Sequence, residues 1–150
     1  MTTDRRIAQY LEQNVLGAAP AKLVFLLYDR AIASLREAVA AIEASDIEKR
    51  YRANKRAIEI IGHMWSTLDV AQGGEIAANL DRLFPFMLSR LTEVDLRNDP
   101  KAAHEVIELL KPLREAWREL ARGEAAPEQG RAASGPDSGT REETATRVSA

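Results

Sequence analysis

Apolar residues recur along most of the chain at alternating spacings of three and four, the pattern of amphipathic helices with one buried face. Four such stretches follow one another, and they are predicted to begin near Pro20, Ser45, Glu75 and Asp99. Each would be about 20 to 25 residues long with short connections, so neighbouring helices must turn back on one another. We therefore expect an all-α fold, an antiparallel four-helix bundle over residues 19–121.

Residues that favour helix ends support these bounds. Glu48 follows Ser45 at the spacing of a capping box, which predicts the start of the second helix. The pair Gly73-Gly74 predicts its end, because glycine readily leaves the helical conformation. Asn98 tolerates the left-handed conformation and predicts the end of the third helix.

Two prolines, Pro85 and Pro112, fall inside the third and fourth patterns. Each removes a main-chain hydrogen bond, so each is expected to kink its helix. The kinks would either curve the helices around the core or open a groove for a guest helix.

The two ends of the chain lack the bundle pattern. From Arg122 onward the only branched aliphatic residue is Val148, so residues 122–150 are predicted to be a disordered tail. Residues 1–18 are predicted to form an extended or short-helical segment that covers part of the bundle. The apolar residues of this segment are Ile7, Tyr10, Leu11, Val15 and Leu16.

An unbroken apolar run, from Leu23 to Tyr28, lies within the first predicted helix. At about 100° per residue, such a run surrounds the whole helix, so it cannot all face one core. The outward side needs a cover, which is either the segment 1–18 or a partner polypeptide.

Composition excludes several classes of protein. Of 150 residues, 45% are hydrophobic and 29% are charged, as is ordinary for a globular domain. A net charge of -2 gives no case for binding nucleic acid. There is neither an apolar stretch long enough for a membrane span nor an apolar signal segment, so a cytoplasmic protein is expected.

Catalytic and metal-binding motifs are missing from the sequence. A di-iron bundle requires Glu-x-x-His pairs, but the two histidines, His63 and His104, belong to none, and there is no cysteine. Phosphate-binding glycine loops and nucleophile elbows are also absent. We therefore expect no enzymatic activity, no cofactor and no metal.

Five basic residues crowd the start of the second predicted helix, between Lys49 and Arg56. A solvated face is the favoured interpretation, because Glu48 to Arg52 and Lys55 to Glu59 have the spacing of helical ion pairs. An acidic partner is the next interpretation, and nucleic acid is the least favoured.

Several segments in register resemble the flagellar secretion chaperone family FliS over about residues 7–120. They are Tyr10-x-x-x-Asn14-Val15-Leu16-x-Ala18-x-Pro20, Leu23-Val24-x-x-Leu27-Tyr28-Asp29, Leu68-Asp69-x-x-x-Gly73-Gly74-Glu75-Ile76-Ala77-x-Asn79-Leu80, Leu83-Phe84-x-Phe86-Met87 and Leu113-Arg114-Glu115-Ala116-Trp117. The glycine-containing segment is the most specific of these.

The resemblance implies a cytosolic chaperone that binds the C-terminal segment of flagellin, prevents its premature polymerisation and keeps it competent for type III export. Components of the export gate are further candidate partners. The implied partner-binding residues are the five apolar residues of the segment 1–18 together with Tyr28, Leu68, Asn79, Leu80 and Phe84. The alternative is a structural bundle whose extra apolar surface contacts a second copy of itself. The oligomeric state is left open by the sequence.

Overall fold

A computed structural model describes residues 20–125, and they form four helices without a strand in that range. These are α1 (Ala21–Glu43), α2 (Ile47–Ser66), α3 (Val70–Arg97) and α4 (Pro100–Ala125). The predicted all-α bundle is confirmed. Both the predicted cover segment, 1–18, and the chain beyond residue 125 lie outside the described residues.

Polar contacts between helices establish the antiparallel order. Near the start of α2, Arg50 binds Asp95 at the end of α3. Arg90 of α3 likewise binds Glu105, near the start of α4. Each helix packs on its neighbours in the chain, and α1 packs extensively on α4, which closes the ring.

The predicted apolar stripes meet in one core. Its largest side chains, all less than 2% exposed, are Trp117, Tyr28, Phe84, Ile32, Leu35, Ile61, Met64, Met87, Leu91 and Leu110. Small residues such as Ala57 and Ala103 are also fully buried, so they permit the helices to approach closely.

Of the first two helix starts, that of α1 lies next to Pro20 as predicted, and that of α2 differs from its prediction. The N-cap of α2 is Asp46, whose carboxylate accepts a hydrogen bond from the Lys49 backbone N–H at 3.0 Å. Ser45 lies before the cap with a φ of 58°, so the predicted capping box is wrong by one residue. Pro20 is itself the N-cap of α1, without a side-chain cap, and its carbonyl accepts from the Val24 N–H at 3.2 Å.

The end of α2 also differs from its predicted position. The helix ends at Ser66, and Asp69 then caps α3 by accepting a hydrogen bond from the Gln72 N–H at 3.0 Å. Gly74, with φ 63° and ψ -141°, forms a kink inside α3. The glycine pair therefore does not end α2. It interrupts α3 after the first turn, because Asp69 already caps the start of α3 earlier in the chain.

The turn between α3 and α4 is as predicted. Asn98 has the left-handed conformation, with φ 53° and ψ 45°. Asp99 accepts a hydrogen bond from the Lys101 N–H at 2.9 Å, next to Pro100 at the first helical position. This caps α4, which continues past the predicted boundary at residue 121 to Ala125.

Both internal prolines have helical residues on either side, Pro85 in α3 and Pro112 in α4. The kink of α3 lies at Gly74 and not at its proline. Among residues 20–125, no helix combines the length and the apolar character that crossing a membrane requires.

Candidate functional site

The apolar run at the start of α1 has two distinct sides. Val24 and Tyr28 are buried in the core, whereas Leu23 is 52% exposed and Leu26 is 47% exposed. The expected excess of apolar residues on the outward side of α1 is therefore real. The two exposed leucines are a surface on which an apolar partner segment could dock.

The start of α1 is held against the end of α4 by polar contacts. Arg114 binds Asp29 at 3.1 Å, and the Arg118 guanidinium lies 5.0 Å from the centre of the Phe25 ring. A cation over an aromatic face is attractive, and it also shields part of the ring from water. Close by in sequence, the indole N–H of Trp117 is buried without a hydrogen-bond partner.

Three of the implied partner-binding residues lie in the core. Tyr28, Leu80 and Phe84 are at most 5% exposed, and burial raises the pKa of the Tyr28 hydroxyl above its ordinary value. In this conformation they support the surface from beneath. A partner could contact them only after the helices had separated.

The other implied residues divide between the surface and the part of the chain that is not described. Leu68 is half-buried in the connection between α2 and α3. Asn79 is exposed on α3, where its side-chain oxygen accepts a hydrogen bond from Arg82. Ile7, Tyr10, Leu11, Val15 and Leu16 lie outside the described residues.

A second apolar surface, along the seam between α2 and α3, was missed by the sequence reasoning. The described residues include eight exposed large hydrophobic side chains: Leu23, Leu26, Ile47, Tyr51, Trp65, Val70, Phe86 and Leu96. Three of these, Ile47, Tyr51 and Trp65, lie on one stripe of α2, and the Trp65 indole N–H binds Asp81 of α3. Their signal in the sequence was a second apolar stripe on α2, beside the core stripe on the side that faces α3.

Contacts across the seam fix its register. The Trp65 indole N–H donates to the Asp81 carboxylate at 2.8 Å at one end, and the Asn54 side chain donates to the Leu91 carbonyl at 2.9 Å towards the other end.

The basic cluster on α2 is largely neutralised within the bundle. Arg50 binds Asp95 at 3.1 Å, Arg52 binds Glu48 at 3.1 Å, and Arg56 binds Glu37 at 2.5 Å. Lys49 and Lys55 are exposed, and neither forms an ion pair with another described residue. Three of the five cations are therefore paired, two of them between helices, and the two lysines remain available to a partner.

Groups of three or more histidine or carboxylate side chains that could hold a metal ion do not occur among residues 20–125. The polar groups of the described surface instead form ion pairs and helix caps. What the surface offers is exposed apolar area, which suits association with another polypeptide.

Comparison with known proteins gives consistent matches. The family model described as Flagellar protein FliS matches residues 3–124. The flagellar secretion chaperone FliS of Salmonella typhimurium is 38% identical over 111 residues, 73% of this chain and 82% of the relative. FliSB of Pseudomonas aeruginosa is 36% identical over 107 residues, 71% and 85% of the two chains.

The FliS of Vibrio cholerae is 32% identical over 110 residues, 73% of this chain and 81% of that protein. The family model covers almost all of the described bundle, so the similarity is not confined to one motif. The chain therefore belongs to the FliS family of flagellar proteins.

Proposed function

We propose that this protein is a cytosolic export chaperone that binds the C-terminal segment of flagellin, prevents its premature polymerisation and keeps it competent for flagellar type III secretion. The observation that carries the proposal is the match to proteins named flagellar secretion chaperones over most of both chains. Holding an unfolded guest requires a binding surface but no catalytic group.

The outer side of α1 supports this function. Leu23 and Leu26 leave apolar area in contact with solvent, which is a cost unless another segment covers it. In the empty chaperone, the cover would be the segment 1–18, with Tyr10 and Val15 among its apolar side chains. In the loaded chaperone, a flagellin segment would replace it.

A disordered guest suits a carrier that must later release it. The flagellin segment would fold as it binds, and the lost conformational entropy offsets part of the interaction energy. Binding can then bury a large apolar surface and still be reversible. Leu68 and Asn79 are further proposed contacts of the guest, whereas Leu80 and Phe84 are buried in the bundle.

The experiment is a calorimetric titration of the full chain with a peptide of the flagellin C-terminal segment. We expect saturable binding, and no binding of flagellin from which that segment has been deleted. The double variant Tyr10→Ala with Val15→Ala, and Leu26→Ser, should each bind more weakly. Ala33→Ser, an exposed change further along α1, is the matched control.

Unchanged binding after deletion of the flagellin segment would overturn this proposal. The alternative, a self-associating bundle, predicts instead that Leu26→Ser converts a dimer to a monomer in sedimentation experiments. The exposed apolar side chains favour either process, so both measurements are made on the same variants.

A further inference from the structure

The first turn of α3, residues 69–73, is a unit separate from the rest of that helix. The Asp69 carboxylate accepts a hydrogen bond from the Gln72 N–H at 3.0 Å, and the Asp69 carbonyl accepts one from the Gly73 N–H at 2.8 Å. Gly74 follows with φ 63° and ψ -141°, a conformation that glycine alone adopts without strain. The turn is therefore held by the bonds of Asp69, because the kink separates it from the helix that follows.

This turn contributes little to the core. Val70 is 41% exposed, and Ala71 and Gln72 are also exposed. Gly73 is the buried residue of the turn, and it has no side chain. Unwinding the turn would therefore bring little apolar area into contact with water, whereas exposure of apolar area is the main cost of opening the rest of the bundle.

The chain on either side of the turn is anchored. Leu68 before it and Ile76 after it are half-buried against the core. The Trp65 indole N–H donates to the Asp81 carboxylate at 2.8 Å, so the end of α2 is bound directly to α3 beyond the turn. The turn can thus unwind between two fixed points while the helices stay packed.

A buried donor lies in the part of the core next to this turn. Arg90 of α3 contacts Glu105 of the antiparallel α4, so Trp117, about three turns further along α4, lies level with the first turn after Gly74. Trp117 is 1% exposed, and its indole N–H has no hydrogen-bond partner among the described residues. Such a donor destabilises a closed core, and water satisfies it when the core opens.

We propose that residues 69–73 form a lid over this end of the core, which opens when the Asp69 hydrogen bonds break and lets water reach the Trp117 indole. The closed lid leaves the indole donor unsatisfied, and the open lid loses few apolar contacts. The bundle thereby has a route to its core that leaves all four helices packed. The inference concerns this chain alone and does not depend on the proposed function.

Hydrogen exchange at the Trp117 indole nitrogen tests the lid in the full chain. The chain has two tryptophans, so a nitrogen–proton correlation spectrum shows two indole signals, and Trp65→Phe identifies the one that belongs to Trp117. If the lid opens, the exchange rate at Trp117 should be unchanged by dilute urea, because opening exposes little surface. A rise with urea as steep as that of global unfolding would overturn the inference, since water would then reach the indole only when the bundle unfolds.

Two helix caps of the same chemistry locate the opening. Asp69→Ala removes the cap of the lid and should speed exchange at Trp117 about fivefold, the equivalent of one lost cap. Asp46→Ala removes a bond of the same length, 3.0 Å to the Lys49 N–H, at the opposite end of the bundle. It should leave the Trp117 rate unchanged, and equal acceleration by both variants would contradict a lid at residues 69–73.

Two glycines give a second matched pair of variants. Gly74→Ala strains the closed conformation and should speed exchange at Trp117 about tenfold. Gly62→Ala is the control, because Gly62 lies in α2 outside the lid and a Cβ added there meets nothing within 4 Å. If the two glycine variants exchange alike, the inference is overturned. If Gly74→Ala does not fold, the comparison of Asp69→Ala with Asp46→Ala decides.

Discussion

Arg50 and Asp95 form an ion pair at 3.1 Å that joins the first turn of α2 to the last turn of α3. Arg50 is only 9% exposed, and it also donates to the side-chain oxygen of Asn98 at 2.7 Å. Asn54 donates to the other carboxylate oxygen of Asp95 at 3.0 Å. One carboxylate thus accepts hydrogen bonds from two buried side chains at the end of the α2–α3 seam.

Asp95→Ala should lower the free energy of unfolding by about 2–3 kcal/mol, because the buried Arg50 guanidinium would lose its counter-charge. Water reaches part of this site, which limits the loss. Urea denaturation measures the change. Arg52→Ala breaks an exposed pair with Glu48 and should cost less than about 0.5 kcal/mol. Equal losses for the two variants would contradict the structural role of the Arg50 pair.

Pro112→Ala should stabilise the bundle by about 1–2 kcal/mol, because alanine supplies the N–H that proline withholds from the Glu108 carbonyl. Pro112 is exposed, so the change removes little packing. Pro100→Ala is the control, since the first helical N–H has no partner within the helix. The midpoints of thermal and urea unfolding would reveal the difference, and a less stable Pro112→Ala would show that the bundle requires the proline.

Tyr28 should make the bundle less stable in alkaline solution. Burial raises the pKa of its hydroxyl in the folded state above the pKa of about 10 that it has in the unfolded chain. The stability that this difference contributes is fully present below pH 10, and it is lost as the pH rises further. Urea denaturation between about pH 9 and 11 should therefore show a smaller loss of stability for Tyr28→Phe than for the wild type. Tyr51→Phe, at a half-exposed position, should behave like the wild type.

Asp46→Ala should destabilise the protein by about 1 kcal/mol, because the Lys49 N–H would lose its acceptor. Ser45→Gly should instead stabilise it by about 0.5 kcal/mol, because glycine adopts the left-handed conformation of that residue without strain. If Ser45 instead formed a capping box, Ser45→Gly would destabilise the protein. Thermal unfolding of the two variants distinguishes these cases.

The helical periodicity was sufficient to predict the bundle, since Tyr28, Ile61, Met87 and Trp117 lie where apolar stripes must meet. Helix ends were harder to predict, because adjacent residues compete for them. Ser45 and Asp46 are both good caps, and only the backbone conformation decides between them.

The surface was harder still to predict. The sequence correctly indicated an outward apolar excess near Leu26, because six consecutive apolar residues cannot all be buried on a helix. It did not reveal the exposed apolar side chains of α2, because the stripe from Tyr51 to Trp65 can be assigned to the surface only when the position of α3 is known. For the same reason, the burial of Leu80 and Phe84 could not be distinguished from exposure in a groove.

The kink at Gly74 lies near the end of the bundle where the chain enters at Ala21 and from which α4 departs. There α3 is interrupted, whereas Arg50 and Asp95 connect α2 and α3 at the opposite end. Amide hydrogens around Gly74 should therefore exchange with solvent at a lower opening free energy than those around Asn54. Local unfolding of the bundle would then proceed from one end, and the end held by Arg50 would be the last to open.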